Sequence, residues 1–203
     1  CFYAHAREFG SAEEDLTDAL AKDPTHPYYH YLRGLSRYDI DKFEDAIADL
    51  RTALANKPPS HIVPDCHYHI GLALANSDRH ADAVLAFRHA LTTSQDTATP
   101  SLQVMYLHER AKSNQMCGNF LNAVDDFTEV LALNPHNPHA LFRRAFAFKS
   151  LKKYERAAED FEAARELDPE NPHLVVNYSR LHELECVVLV AAGEEPDFLA
   201  APP

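Results

Sequence analysis

The stretch that decides the fold runs from Pro138 to Pro169 and reads PHALFRRAFAFKSLKKYERAAEDFEAARELDP. It carries a small residue, an alanine, an aromatic residue, a second alanine and a proline, which are Ala145, Ala157, Phe161, Ala164 and Pro169. Three earlier segments repeat this order, with leucine in place of the aromatic residue once, valine in place of the second alanine once, and no proline in one copy. They are Gly34, Ala46, Leu50, Ala53 and Pro58; Gly71, Ala83, Phe87 and Ala90; and Ala111, Ala123, Phe127, Val130 and Pro135. Such internal self-similarity indicates a stacked-repeat architecture.

The distance between copies indicates the kind of repeat. Ala123 and Ala157 are 34 residues apart, and so are Ala12 and Ala46. A 34-residue unit with this order of small, aromatic and proline positions resembles the tetratricopeptide repeat, which is a helix-turn-helix unit. The resemblance covers residues 3–171 and a final helix. It implies an all-α fold, a right-handed α-solenoid of stacked helix-turn-helix repeats.

The same spacing places the helices. We predict the first helices of the four full repeats at 28–39, 65–76, 102–116 and 139–151, and the second helices at 43–55, 80–92, 120–132 and 154–167. Small residues such as Gly34 and Gly71 would lie where two helices cross closely, since a larger side chain would push the backbones apart. In the connectors, a first proline ends one helix and a second, such as Pro138, opens the next. Asn137 and Asn171 are suited to cap the helices that follow them.

This register predicts the domain organisation. We expect a single solenoid over 1–192, with a partial repeat at 1–26, repeats at 27–63, 64–103, 104–137 and 138–171, and a C-terminal capping helix at 172–192. Gly193 would end that helix, and 193–203 would form a flexible tail. Because the chain begins with Cys1 inside a repeat, we expect it to be a fragment of a longer protein.

Composition and charge exclude several classes of function. The net charge of −12 repels phosphate backbones, so we expect no nucleic-acid binding. Acidic pairs on the second helices, Glu44-Asp45, Asp125-Asp126 and Glu159-Asp160, are interpreted as solvated. We see no signal peptide or transmembrane run, and we expect no membrane insertion. The scattered cysteines favour a reducing compartment, so we expect a cytoplasmic protein, with a cytoskeletal or ciliary location as the narrower option.

The sequence carries no pattern typical of catalysis. It has no nucleophile elbow, no phosphate-binding loop and few glycines from which to build one. Cys66 and His69 could share a helix face, but a tetrahedral zinc site usually needs a second such pair. We therefore predict that the protein is not an enzyme and binds neither a cofactor nor a metal.

The resemblance implies a concave groove along the first helices. Family members that grip a C-terminal carboxylate carry lysine, asparagine and arginine there, whereas the matching positions here are Tyr31, Leu35, His69, Met105 and Glu109. The predicted groove is instead aromatic and apolar, and its candidate partner-binding residues are Tyr28, Tyr31, Leu35, Tyr38, Tyr68, Leu72, Met105, His108, Phe142 and Phe146. Asp39, Asp65 and Lys112 would add polar groups to it.

These observations lead to one main functional prediction. We expect a non-catalytic scaffold or adaptor that binds a partner peptide or amphipathic helix in this groove, within a multiprotein complex. A different interpretation is a structural component of a large cytoskeletal, ciliary or transport assembly, held by end-to-end and lateral packing of the solenoid. It also stays open whether some of the tyrosines pack between helices, since aromatic residues are common in cores.

Overall fold

The computed structural model describes residues 2–95 and 98–170, and the side chains among them from residue 10 onward. Within these ranges the chain forms nine α-helices joined by short turns, and no strand occurs there. The helices are α1 (Phe2–Lys22), α2 (Pro27–Asp39), α3 (Phe43–Ala55), α4 (Val63–Asn76), α5 (His80–Thr93), α6 (Pro100–Met116), α7 (Phe120–Leu133), α8 (Pro138–Ser150) and α9 (Tyr154–Leu167). The predicted helix at 172–192, the Asn171 cap and the tail at 193–203 lie outside the described residues.

The eight predicted helices of the full repeats are confirmed, with ends that differ by two residues at most. The largest differences are at the starts of α4 and α6, which begin two residues early because Pro64 and Pro100 lie in the first turn. A proline is tolerated there because the first turn has no internal partner for its missing N–H.

The helices belong to two compact units, Cys1–Gly118 (unit 1) and Asn119–Pro203 (unit 2). In unit 1, each helix from α1 to α5 packs against the next one along the chain, and α4 also lies beside α2 and α6. In the described part of unit 2, α8 packs against both α7 and α9. No described helix combines the length and the apolar character that crossing a membrane would need.

Small residues and large apolar ones meet at the helix crossings. Gly71 of α4 faces Phe87 of α5, and a Cβ atom built on Gly71 would lie 2.5 Å from the Cε1 atom of Phe87. A Cβ atom built on Gly34 of α2 would lie 2.8 Å from the Cγ atom of Leu50 in α3. Leu50, Phe87, Phe127 and Phe161 are all fully buried. The predicted close crossings at Gly34 and Gly71 are therefore confirmed.

The helix ends are fixed by caps and by left-handed residues. Asn137 caps α8 as predicted, accepting a hydrogen bond from the backbone N–H of Ala140 at 3.0 Å. The Oγ1 atom of Thr99 caps α6 in the same way, accepting from the Leu102 N–H at 3.3 Å. At the turn after a first helix, Asp41 and Lys152 adopt positive φ angles of 61° and 58°. Non-glycine residues rarely adopt this conformation, so these turns are tightly constrained.

The prediction that the acidic pairs are solvated is only partly correct. Glu44, Asp45, Asp125 and Glu159 are exposed, whereas Asp126 and Asp160 are buried. The carboxylate of Asp160 accepts two hydrogen bonds from Arg144, Nε to Oδ2 at 2.8 Å and Nη2 to Oδ1 at 2.7 Å. Burial of a carboxylate is tolerated when it is paired and hydrogen-bonded in this way.

Unit 1 contains an equivalent buried carboxylate at Asp49. Its oxygens accept hydrogen bonds from Arg33 at 2.7 and 2.8 Å and from Arg37 at 2.8 Å, and the Nδ1 atom of His30 lies 3.2 Å from Oδ1. Burial by itself would raise the pKa of Asp49, but the hydrogen bonds from Arg33 and His30 and the charges of both arginines hold it below its usual value. The carboxylate therefore stays ionised and links α2 to α3.

We expect Gly71→Ala to destabilise unit 1 by about 1–3 kcal/mol, because its Cβ atom would overlap the buried ring of Phe87. Gly10→Ala is the matched control, since a Cβ atom on Gly10 in α1 meets nothing within 4 Å. That change should leave stability unchanged or raise it by up to about 1 kcal/mol, because alanine favours a helix over glycine. Urea unfolding followed by circular dichroism measures both. Equal effects of the two changes would show that the Gly71 crossing is not close.

We expect Asp49→Ala to lower the free energy of unfolding by about 3–5 kcal/mol, because it leaves Arg33 and Arg37 without their buried partner. Asp45→Ala, at an exposed position on α3, should change it by less than about 0.5 kcal/mol. The loss should shrink as the pH falls from about 3.9, the unfolded pKa of an aspartate, through the lower pKa of Asp49 in the folded protein, because the unfolded chain takes up the proton first and the contact is then protonated too. Urea unfolding at neutral and acid pH tests this, and a loss that does not depend on pH would argue against a charge-based role.

Candidate functional site

Four side chains follow one face of α2 at helical spacing. Tyr28, Tyr31, Leu35 and Tyr38 recur every three or four residues, which places them on the same side of the helix. Tyr28 is 44% exposed, while Tyr31 and Tyr38 are half-buried and pack against the core of unit 1. The ring centroids of Tyr28 and Tyr31 are 5.9 Å apart. The sequence therefore folds into a continuous aromatic stripe with one side open to solvent.

Polar residues of α4 hold this stripe in place. Tyr31 donates its hydroxyl proton to the Oδ2 atom of Asp65, and Asn76 donates from Nδ2 to the Tyr38 hydroxyl at 3.0 Å. The ring of His69 meets the Tyr38 ring edge-on at a centroid distance of 6.0 Å. The Asp65 contact lies near the start of α4 and the Asn76 contact lies at its end. These hydrogen bonds therefore link α2 to α4 along the length of the stripe.

The third helix of this surface, α6, contributes Met105, His108, Glu109 and Lys112. Met105 is half-buried against the core. Lys112 donates from Nζ to both Glu109 oxygens, at 2.8 and 3.2 Å, and the Nδ1 atom of His108 lies 3.6 Å from Oε1 of Glu109. We call this surface, formed by side chains of α2, α4 and α6 in unit 1, the first-helix face. It consists of Tyr28, Tyr31, Leu35, Tyr38, Asp65, His69, Leu72, Asn76, Met105, His108, Glu109 and Lys112.

The ionisation of this face follows from burial and from its hydrogen bonds. Burial raises the pKa of Tyr31, and the Asp65 carboxylate raises it further, so the tyrosine keeps its proton and remains a donor. Burial alone would lower the pKa of His69, but the hydrogen bond and the charge of Asp65 raise it above its usual value. Burial would raise the pKa of Asp65, and the contacts with His69 and Tyr31 instead hold it low. Asp65 and His69 thus stabilise each other's charged forms.

The remaining predicted groove residues are placed differently. Tyr68 is only 9% exposed, because Tyr106 and Phe87 cover it at centroid distances of 5.1 and 5.8 Å. Tyr68 therefore belongs to the core of unit 1 and offers little surface to a partner. Phe142 and Phe146 lie on α8 of unit 2, where Phe142 packs edge-on against Phe161 and Phe146 is 45% exposed.

Asn76 is a residue of the first-helix face that the sequence prediction omits. The repeat register could have found it, since Gly34 and Gly71 are 37 residues apart and the same offset pairs Asp39 with Asn76. Asn76 is the last residue of α4, and its amide reaches back to Tyr38 on α2.

The described residues offer little for catalysis or metal binding. Among them, no group of three or more histidine, cysteine, aspartate or glutamate side chains could hold a metal ion. Burial raises the pKa of Cys66 to about 12, with the Asp65 charge adding to it, so its thiol stays protonated. The Nδ1 atom of His69 already lies 3.0 Å from the Asp65 carbonyl oxygen. What the surface presents is a row of fixed aromatic rings bordered by charged side chains, which suits binding.

We expect Asp65→Asn to lower the pKa of His69, because the substitution removes a neighbouring negative charge and leaves burial as the main influence. Asp45→Asn, at an exposed position on α3, should leave the His69 pKa unchanged. A pH titration of the His69 ring protons by NMR measures both variants. An unchanged His69 midpoint in Asp65→Asn would contradict the assigned contact.

The contact also makes stability depend on pH. Since folding raises the pKa of His69, the contact stabilises the folded state fully below about pH 6.5, the usual histidine pKa. This contribution is lost as the pH rises through the pKa of His69 in the folded protein.

Comparison with known proteins assigns the family. Two family models, both described as tetratricopeptide repeat, match the chain: one at residues 138–171, and the other at residues 3–61 and 31–100. No curated protein matches the sequence significantly.

Several solved structures share the fold. YrrB, a tetratricopeptide repeat protein with an unusual peptide-binding site, is 16% identical with a TM-score of 0.74 over 86% of this chain and 84% of its own. MamA from Desulfovibrio magneticus RS-1 is 18% identical with a TM-score of 0.71 over 82% of this chain and 89% of its own. The first tetratricopeptide repeat domain of Spaghetti (RPAP3), bound to an HSP90 peptide, is 21% identical with a TM-score of 0.55 over 61% of this chain and 94% of its own.

The family models together match well over half of the chain, and the structural likenesses show the same fold. The fold class predicted from the sequence, an all-α solenoid of helix-turn-helix repeats, is therefore confirmed. This chain belongs to the tetratricopeptide repeat family.

Proposed function

We propose that this protein-interaction module binds a peptide or an amphipathic helix of a partner protein on the first-helix face of unit 1, and that it performs no chemistry of its own. The observation that carries the proposal is the row of Tyr28, Tyr31 and Tyr38, in which one ring is 44% exposed and the other two are half-buried. Tyrosine is enriched among the residues that dominate binding energy at protein interfaces.

The hydrogen bonds of this face favour binding because they fix the rings before a partner arrives. Tyr31 is held by Asp65, and Tyr38 is held by Asn76 at 3.0 Å. A side chain that is already ordered loses less conformational freedom on association, which would otherwise oppose binding. The face is therefore preorganised for an apolar ligand.

The charges around the rings specify the ligand further. Asp39 lies at the end of α2 and is exposed. Partial desolvation of its carboxylate raises its pKa, and the charge of His69 opposes this shift. A cation from a partner would stabilise the ionised form of such a group. We therefore expect the ligand to combine apolar side chains facing the tyrosines with a lysine or arginine near Asp39.

The structural relatives support peptide binding in general and not a particular ligand. YrrB is described as having an unusual peptide-binding site, and the domain of Spaghetti was solved with an HSP90 peptide. The positions that match the family's carboxylate clamp hold Tyr31, Leu35, His69, Met105 and Glu109 in this chain. This set lacks the lysine, asparagine and arginine of that clamp, so the proposed ligand is not a chaperone tail held by its terminal carboxylate.

The test uses a peptide selected from a displayed random library on the wild-type chain, followed by measurement of its Kd with variants. Tyr28→Ala should weaken binding by about 2 kcal/mol or more, which is roughly 30-fold in Kd, because it removes an exposed anchor ring. Tyr28→Phe keeps the ring and should retain most of the affinity. Leu121→Ala is the matched control, since Leu121 is 60% exposed but lies on α7 of unit 2.

Two further readouts sharpen the result. Because apolar contacts dominate, raising the salt concentration should weaken binding only modestly, whereas exposed charges are screened within about 10 Å at 0.1 M salt. All variants should keep the wild-type helical circular dichroism. Equal loss in Tyr28→Ala and Leu121→Ala, or binding that disappears with salt, would contradict the proposal and favour packing through the acidic second helices.

A further inference from the structure

Two repeats share a buried arginine–aspartate pair at equivalent positions. Arg33 pairs with Asp49 in unit 1, and Arg144 pairs with Asp160 in unit 2, each across 16 residues of sequence. Each arginine also donates from Nη1 to the hydroxyl of a threonine on the preceding helix, Thr17 at 3.2 Å for Arg33 and Thr128 at 3.1 Å for Arg144. Polar side chains thus fill the space between each arginine's helix and the two second helices beside it.

The second full repeat lacks this trio and leaves a cleft. In register with Arg33 and Asp49, it carries Ile70 and Ala86, and the position equivalent to Thr17 is Arg51. A cleft of about 300 Å³ lies at this position, between α3, α4 and α5, and Ile70 and Ala86 form its apolar floor together with Leu54 of α3. The cleft is a consequence of replacing a long arginine and its carboxylate with shorter, uncharged side chains.

Basic groups surround the apolar floor. Arg51 of α3, His67 of α4 and His89 of α5 line the cleft, and the two imidazole rings lie 5.2 Å apart. Arg79 and Asp82 also line it, and they neutralise each other through a contact of 2.6 Å. In the part of the chain that the structure describes, the Arg51 guanidinium has no hydrogen bond or ion pair. One unpaired cation and two titratable imidazoles therefore face an apolar floor, in a chain whose net charge is −12.

The cleft is separate from the first-helix face. Residues advance by about 100° around an α-helix, so His67 and Ile70 lie roughly 160° and 140° from Asp65 of the first-helix face. The two surfaces are consequently on opposite sides of α4, and a ligand could occupy one without contacting the other.

We propose that this cleft is a second binding site, which takes an acidic segment of a partner protein by inserting one leucine-sized side chain onto Ile70 and Ala86. A neighbouring carboxylate of that segment would pair with Arg51 and with the imidazoles of His67 and His89. The volume is at the lower end of the roughly 300–1,000 Å³ of small-molecule sites, which suits one apolar side chain and its flanking group. Complementary charge gives the selectivity, since the rest of this acidic chain repels an acidic ligand.

The histidine pair makes the binding depend on pH. Burial lowers the pKa of His67, and His89 lowers it further. The other titratable groups lining the cleft are Arg51 of α3, Arg79 at the residue before α5, and Asp82 of α5. A bound carboxylate stabilises the protonated form of His67, so affinity should rise as the pH falls toward the lowered pKa of His67 in the free protein. It should decline again near about 4.3, where glutamates of the ligand become protonated.

The probe is a short synthetic peptide with one central leucine flanked by glutamates, and a matched peptide carries serine in place of the leucine. Binding is followed through the amide NMR shifts of residues around the cleft, at pH 7.5 and 5.5. The leucine peptide should shift these resonances and bind about fivefold more tightly at the lower pH, as expected when binding raises one imidazole pKa by about one unit. The serine peptide should bind at least tenfold more weakly than the leucine peptide, because it leaves the floor uncovered.

Variants separate the cleft from general electrostatics and from the first-helix face. Arg51→Ala should weaken binding about tenfold, whereas Arg88→Ala, an exposed arginine of α5 outside the cleft, should leave the Kd unchanged. Ala86→Leu fills the apolar floor, and Leu85→Ser removes an exposed apolar side chain at its edge. Both changes should weaken binding. Circular dichroism should show that both variants keep the wild-type helical content. Tyr28→Ala should have no effect here, so failure of this proposal is distinguishable from failure of the first-helix site.

Several outcomes would overturn the proposal. These are absence of binding by the leucine peptide, equal binding of the leucine and serine peptides, and equal weakening by Arg51→Ala and Arg88→Ala. Binding of laurate in the cleft without binding of the peptide would also overturn it, since the site would then be one for a small amphiphilic carboxylate.

Discussion

The close approach of paired helices is the constraint on which the rest of the structure depends. At Gly71 there is no room for even one carbon atom beside the buried ring of Phe87, and Gly34 meets Leu50 in the same way. Because interiors are packed at high density, such crossings fix the position of one helix relative to the next. They also fix the rotation of α2 and α4 about their axes. The aromatic stripe of α2 and the polar residues of α4 therefore come to lie on one surface.

The repeats differ in whether they contain a buried arginine–aspartate ion pair. Two repeats bury an arginine–aspartate pair between their helices, Arg33 with Asp49 and Arg144 with Asp160. In each pair the two charges neutralise each other. The repeat at 64–103 carries Ile70 and Ala86 instead and leaves a cleft bordered by basic side chains. The same architecture thus gives unit 1 two surfaces of different chemistry, one aromatic and the other apolar with a basic border.

Much of the fold could be predicted because backbone rules determine it. Prolines and small residues recur at fixed distances, and each reports a local requirement such as a helix start, a cap at Asn137 or a crossing at Gly71. The α2 stripe was predicted from the groove that the resemblance to the tetratricopeptide repeat implies. Tyr68 shows the limit of this reasoning, because it occupies the position equivalent to Tyr31 but is covered by Tyr106 and Phe87. Whether a residue in register is exposed depends on the side chains of the neighbouring helices, which the repeat pattern does not specify. The burial of Asp160 was missed for a related reason, since an acidic residue on a helix is solvated unless a distant arginine reaches it.

The tyrosine row of unit 1 is the proposed partner-binding surface. A crystal structure of the chain with a library-selected peptide would test this, because it locates the ligand without relying on a substitution. We expect the peptide to lie along α2, with apolar side chains against Tyr28 and Tyr31 and a basic side chain near Asp39. A peptide bound to the second helices, or one that leaves the tyrosine row uncovered, would contradict it.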